Sequence, residues 1–361
     1  MTSSSWQTAR HRIKVPTCDY TLHPDAVALQ CQPVVIGGIR RVAGPQPSRA
    51  RTALAILVVC AWQPTFVGVS GETALSAAQT LPVPRFSSGV DVVNVGVTVT
   101  DRKGNLVAGL TPDDFDILED GKPQTIRYFA AGDAAPEERP PMHLGLLVDV
   151  SESMGEDLAF SKTAAVRFLN TLTDAVDITV VDFDTEIRTA RYSQAEYARL
   201  IERIRQKKAA GNTALYDAIG TYLDDAAGQD GRKVMLLYTD GGDTQSALGL
   251  GELKDLLKAS DVTVYAIGEL EHQSSFVKNQ QRMILQQIAE LTGGRAFFPT
   301  AVKDLDAVYE KVLAEIRAQY TLGYVSTNEK MDGHWRRVDL RLKRNDLRTR
   351  ARRGYFARLL K

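Results

Sequence analysis

Cysteine is almost missing from this chain. Of 361 residues only Cys18, Cys31 and Cys60 carry a thiol, and everything after Cys60 has none. The greater part of the chain therefore has no disulfide framework and no cysteine-rich metal site, which is compatible with an oxidising compartment without requiring one. Histidine is scarce as well, limited to His11, His23, His143, His272 and His334. No His-Glu-x-x-His pair, no Gly-x-Ser-x-Gly elbow and no phosphate loop occurs, so the hydrolases and nucleotide binders that those motifs announce are not expected. Charge of one sign is lacking: 44 basic residues balance 44 acidic ones, leaving no global field to steer the chain toward nucleic acid. No long apolar run follows the first quarter and mean hydropathy is −0.19, so the body of the chain is expected to be soluble.

What is present begins with a basic and apolar N-terminal region. Residues 1–51 show no periodicity and read as disordered or as an extension from a mis-assigned start. Arg40, Arg41, Arg49 and Arg51 precede the apolar stretch Ala53–Trp62, and small residues follow at Ala74, Ser76, Ala77 and Ala78. That order resembles a secretory signal, whose apolar core is shorter than the ~20 residues of a membrane-spanning helix. Residues 52–85 are accordingly a signal-like segment and linker, with cleavage near Ala78. The expected location is extracellular, periplasmic or in the cell envelope, with membrane contact at most through this segment if it is uncleaved.

The remaining length, at 44% hydrophobic residues, can bury a substantial core and fits two or three domains. From Val90 to Val99 valines recur with period two, the mark of a half-buried strand. Phe115–Leu118 and Thr125–Phe129 flank Glu119-Asp-Gly-Lys-Pro123, a hairpin signal. At the far end Tyr320–Val325 and Trp335–Lys343 read as strands, and Arg348–Tyr355 as another. The region between alternates apolar strand and helix, as an open α/β fold requires: strands at Leu144–Val148, Ile178–Phe183, Glu186–Ala190, Val234–Tyr238, Val262–Ile267 and Ala296–Phe298. Glu186–Ala190 follows its predecessor so closely that it is expected to be an antiparallel edge. The expected architecture is a doubly wound, mostly parallel open sheet (141–319) inserted in a small antiparallel β-sandwich. Segments 86–132 and 320–357 build that sandwich, with two separate β units as the rival layout.

Chemistry concentrates where the first central strand ends. The apolar run Leu144–Val148 stops at Asp149, followed by hydroxyls at Ser151 and Ser153. Ligands of open α/β sheets bind beyond the carboxyl ends of such strands, and hard cations such as Mg²⁺ take oxygen donors while keeping several waters. A loop, Gly211-Asn-Thr213, runs into a helix and offers a third hydroxyl; Val234–Thr239 ends in Asp240-Gly-Gly. Taken singly, Asp149, either serine or Thr213 could instead cap the following helix, and Asp240-Gly-Gly could be a bare turn.

Together these three pieces resemble the metal-ion-dependent adhesion site of von Willebrand factor type A domains, the Asp-x-Ser-x-Ser, Thr and Asp set, over roughly Pro141 to Tyr320. The resemblance implies Ser151, Ser153 and Thr213 as hydroxyl ligands of Mg²⁺ (or Mn²⁺ or Ca²⁺), with Asp149 and Asp240 acting mostly through water. It further implies a binding module rather than an enzyme, in which the ion accepts an Asp or Glu carboxylate from a partner protein. Glu152 departs from the small residue that the family often carries between the two serines and adds charge near the ion. Asp182 and Asp243 are weaker candidates, read as solvated loop carboxylates. The layout is similar to that of bacterial proteins in which such a domain is flanked by short β segments.

Two other readings stay open. A strand ending in Asp beside Mg²⁺ also suits phosphatases of the haloacid dehalogenase type, but Ser151 stands where their second Asp is expected. The run Arg336, Arg337, Arg341, Lys343, Arg344, Arg348, Arg350, Arg352 and Arg353 invites a scaffold that binds polyanions. Solvated strand faces are the preferred explanation of the run, and it lacks the aromatic interleaving of single-strand binders.

Overall fold

The computed structural model describes residues 92–359 apart from 136, 137, 156, 157 and 173; the signal-like segment and the N-terminal extension lie outside them. β-Branched alternation builds the first element. In β1 (Val92–Asp101) Val93, Val95, Val97 and Val99 are all buried, one face of a period-two strand. β2 (Phe115–Glu119) and β3 (Lys122–Gln124) form a hairpin in which Asp120 and Gly121 both take positive φ, 48° and 81°. That geometry gives a two-residue primed turn, which matches strand twist.

Thr125–Phe129 is not the second strand of this hairpin. Pro123 has no N–H to extend a ladder, which suits a three-residue edge strand. The chain then crosses to the other sheet, where β4 (Ile126–Ala130) pairs with β11 (Tyr320–Val325). There Phe129 packs against Phe115 and Tyr320, ring centroids 6.0 and 5.9 Å away. The end of the chain divides likewise. β13 (Leu347–Arg350) joins β1, whereas β14 (Gly354–Phe356) joins β12 (Trp335–Leu342), so the expected single strand is two, one in each layer. The resulting sheets, β13-β1-β11-β4 and β14-β12-β2-β3, enclose Val95, Val97, Ile117, Leu322, Tyr324 and Val338.

Between these segments lies a six-stranded sheet ordered β10-β9-β8-β5-β6-β7. Its strands are β5 (Met142–Asp149), β6 (Ala175–Phe183), β7 (Ile187–Ser193), β8 (Arg232–Thr239), β9 (Val262–Gly268) and β10 (Arg295–Phe297). All run parallel except β7, the antiparallel edge. β5, β8 and β9 are buried almost throughout, as a sheet covered on both faces requires. On one face α1 (Leu158–Thr171), α2 (Tyr197–Gln206) and α6 (Leu305–Ala318) bring Phe168, Leu200 and Val312 against Leu144, Leu146 and Val148. On the other, α3 (Leu215–Ala226), α4 (Leu250–Ala259) and α5 (Ser275–Leu291) bring Tyr222, Leu253 and Leu285 against Leu147, Met235 and Leu237. The architecture is the expected doubly wound sheet inserted in an antiparallel sandwich.

Gly145, in the middle of β5, is where the sheet admits the Tyr222 ring. A Cβ there would lie 2.3 Å from two ring carbons, and Tyr222 is too deeply buried to swing away. Gly145→Ala is expected to destabilise the fold by about 1–3 kcal/mol through overpacking. Urea titration checks this as a lower midpoint at unchanged slope.

Candidate metal centre

After β5 the chain goes to β6 on one side and later returns to β8 on the other, so the order reverses beside β5. Crevices of open α/β sheets form at such a reversal, and Asp149 and Asp240 stand at the ends of the two strands that flank it. Asp149 is fully buried. One of its oxygens accepts the Ser151 N–H at 3.0 Å and the other the Thr239 hydroxyl at 2.6 Å. Burial above all, with the like charge of Asp240 adding to it, pushes its carboxyl up to about 6 against the bonds from Ser151 and Thr239. Among the described residues no basic side chain pairs with either Asp149 or Asp240. A buried pair of carboxylates without a counter-charge is costly, and a cation would offset that cost.

The two serines lie on the turn that follows. Ser151 is buried and Ser153 exposed, with their Oγ atoms 3.2 Å apart. Adjacent corners of an octahedron with bonds of ~2.1 Å are ~3.0 Å apart, so this spacing suits neighbouring ligand positions around Mg²⁺. The turn is anchored from both sides: Val150 N–H donates to Phe183 O at 2.8 Å, Ala210 N–H to Val150 O at 2.9 Å and Glu152 N–H to Gly211 O at 3.0 Å. The last two bonds tie it to the loop that carries Thr213.

Thr213 is buried, and its backbone is pinned to the loop after β8. Its N–H donates to Thr244 Oγ1 at 3.0 Å, and its carbonyl accepts from Thr244 and Gln245 at 2.9 and 3.0 Å. Gly211 sits at φ +78°, where a Cβ would also meet Thr185 Oγ1 at 2.6 Å, so glycine suits this position on both counts. Asp240 is buried, its oxygens accepting from Gly242 N–H at 3.2 Å and Gln273 Nε2 at 3.4 Å. Asp149, Ser151 and Ser153 thus meet directly, Asp240 acts on Asp149 through its charge, and Thr213 reaches the serine turn through its loop.

The capping alternatives divide. α3 starts at Leu215 with Ala214 as its cap and no side-chain cap bond, and Ser151 makes none to the short 3-10 turn Glu152–Met154. The hydroxyls of Thr213 and Ser151 are therefore not spent on helix ends. Asp149 and Asp240 each do hold a turn, through Ser151 and Gly242, so these two carboxylates also have structural work. Among the described residues no group of three or more His, Cys, Asp or Glu gathers. Asp149, Ser151 and Ser153 are in contact and the loops of Thr213 and Asp240 border them, a carboxylate-and-hydroxyl set of a different make-up.

Two residues differ from their expected roles. Asp182 is no solvated loop carboxylate: it is buried in β6, where Arg188 Nε, Arg203 Nε and Lys207 Nζ donate to it at 2.8, 2.9 and 2.5 Å. Burial alone would raise its carboxyl, but the bonds from Lys207, Arg188 and Arg203 outweigh this and hold it below the usual range. Asp243 is half-buried and serves the first turn of α3, accepting from Tyr216 N–H at 3.2 Å and Ser246 Oγ at 2.6 Å. Thr239 and Gln273, the partners of the two site carboxylates, escaped sequence reasoning. Thr239's position just before Asp240 was the one available signal; for Gln273, 33 residues from Asp240, there was none.

His143 stands at the entrance of β5, the opposite end from Asp149. Both ring nitrogens are engaged, with Asp177 Oδ1 at 3.0 Å and Asp230 O at 2.9 Å, so it has a structural role. The basic C-terminal run is partly neutralised: Arg336 pairs with buried Glu119, Arg350 with Glu315, Arg337 with Asp339 and Arg344 with Asp346. No helix among the described residues is long and apolar enough to cross a membrane.

A family model, the von Willebrand factor type A domain, matches residues 143–311. No curated protein matches the chain by sequence. Three solved structures illustrate the likeness. An aerotolerance-related membrane protein from Bacteroides fragilis aligns at 15% identity over 49% of this chain and 98% of its own, TM-score 0.41. A von Willebrand factor type A protein from Catenulispora acidiphila aligns at 15% over 68% of this chain and 73% of its own, TM-score 0.43. The pilus adhesin SpaC from Lactobacillus rhamnosus GG, in its open conformation, aligns at 12% over 70% of this chain and 48% of its own, TM-score 0.42.

Proposed function

Because residues 143–311 match the family model of the von Willebrand factor type A domain, we propose that the chain is an exported, divalent-cation-dependent protein-binding module. Ser151, Ser153 and Thr213 hold Mg²⁺ (or Mn²⁺ or Ca²⁺) through their hydroxyls, with Asp149 and Asp240 acting mostly through water. The observation that carries this reading is the buried Asp149 carboxylate, close enough to Asp240 to feel its charge and without a basic partner among the described residues, beside two hydroxyls 3.2 Å apart. When bound, the ion supplies a Lewis-acidic site for one more anionic oxygen, from an Asp or Glu of a partner protein. The chain's own residues do the rest. Asp149 fixes the serine turn through Ser151 N–H, Thr239 orients Asp149, and the Gly211 carbonyl keeps the Thr213 loop against that turn. The sandwich strands on either side of the 141–319 domain form the platform on which it is displayed.

A pull-down from the extracytoplasmic fraction, run with Mg²⁺ and again with EDTA, tests this reading. Partners are expected to be captured with Mg²⁺ and lost with the chelator. A Ser151→Ala, Ser153→Ala double variant is expected to fold normally, with an unchanged circular-dichroism melt in EDTA, yet to capture none of them. Undiminished capture by that variant would sink the proposal.

A further inference from the structure

At the other end of the sheet, where the sandwich meets the central domain, a cavity of about 40 Å³ is lined by Arg232, Gln319, Gly96, Asn94 and the ion pair Lys233–Asp261 among others. Arg232 is 8% exposed and Gln319 4%. The Arg232 guanidinium spends one nitrogen on Ile316 O at 2.6 Å, at the carboxyl end of α6, and on Gln319 Oε1 at 3.3 Å. Among the described residues its Nε has no partner, and neither has Gln319 Nε2. Both unpartnered atoms are donors, and among the described residues no carboxylate lies within ion-pair distance of Arg232. Asp261, a carboxylate that also lines the cavity, is paired with Lys233 at 2.7 Å.

Buried donors are nearly always satisfied, and an uncompensated buried charge is more costly still. The carboxyl end of α6 offsets part of the guanidinium charge through the helix dipole, but it is met by Nη2 and leaves Nε untouched. We propose that Arg232 and Gln319 form a binding site for a single small monovalent anion of the halide class, seated between the sandwich and the central domain. The occupant has to accept from two N–H groups, supply one negative charge and fit ~40 Å³, a volume that admits one ion or one water and no oxyanion with a solvent shell. The ion cements the join: Gln319 is the residue between α6 and β11, Arg232 opens β8, and Gly96 lies on β1, where a Cβ would sit 2.9 Å from Gln319 Nε2.

The test uses the full chain in EDTA, so that the metal centre plays no part. Thermal melts are compared in chloride, bromide and gluconate at equal ionic strength; gluconate is too large for the cavity. At ten times its dissociation constant the halide raises the folding equilibrium constant about elevenfold, a rise of ~3–6 °C in Tm for a domain of this size. Crystals grown in bromide are expected to show an anomalous peak within hydrogen-bond distance of Arg232 Nε. Gln319→Glu, which builds a carboxylate beside the guanidinium, is expected to melt at the same temperature in all three salts. It remains informative where Arg232→Met fails to fold. Equal wild-type melts in halide and gluconate, or a cavity peak without anomalous signal in bromide, would mean that water fills the site and would overturn the proposal.

Discussion

Asp149→Asn is expected to yield a folded protein that has lost its response to magnesium. The asparagine carbonyl can still accept from Ser151 N–H, so the serine turn keeps its main tie. Thr239 Oγ1, which also accepts from Gly241 N–H at 3.0 Å, can accept in turn from the new amide. What disappears is one of two buried negative charges that repel each other in the absence of a cation. In EDTA the variant should therefore melt no lower than the wild type. With Mg²⁺ at a hundred times its dissociation constant the wild type gains ~2.7 kcal/mol, a Tm increase of ~5–10 °C at this domain size, and the variant gains under about a tenth of that. Differential scanning calorimetry with and without the metal measures both arms. A variant that gains as much as the wild type would remove Asp149 from the ion's surroundings.

Legibility in the sequence followed the distance over which each feature is encoded. Leu144–Val148 and Val234–Tyr238 could be read as buried strands because burial on both faces writes a continuous apolar run, and Asp149, Ser151 and Ser153 lie within five residues of each other. The antiparallel edge β7 was readable from the short gap that precedes it. Features set by partners far along the chain were not. Thr125–Phe129 looks locally like half of a hairpin, yet its fate is decided by Tyr320–Val325, almost 200 residues later. Arg348–Tyr355 looks like one strand because nothing local says that its two ends serve different layers. In the site itself the ligand-type residues carried a motif, whereas Thr239 and Gln273, which orient the carboxylates, belong to no spacing pattern.

Asp182 shows the same limit most sharply and carries the second large expected effect. Its three partners come from β7, from α2 and from Lys207 just beyond α2, so one buried carboxylate joins three consecutive segments. Lys207 is the last anchor before the chain enters the loop whose Ala210 and Gly211 bond to the serine turn. Asp182→Ala is expected to cost about 3–5 kcal/mol, the scale on which removal of one partner strands buried charges; Arg188 keeps Asp184 at 2.6 Å, which favours the lower end. Asp182 is held below its ordinary value of 3.8 in the fold, so its contribution is complete above that pH and is lost as pH falls through the lowered native value. The gap between wild-type and variant unfolding free energies, measured by urea titration from pH 7 downward, should hold constant to about pH 4 and shrink below it. A gap that is small at neutral pH, or that widens in acid, would show that the basic trio is held by other means. The weaker anchoring of Lys207 also predicts a direction for the site: in the variant the 208–213 loop exchanges its amide protons faster, while amides within β5 and β8 stay protected until global unfolding.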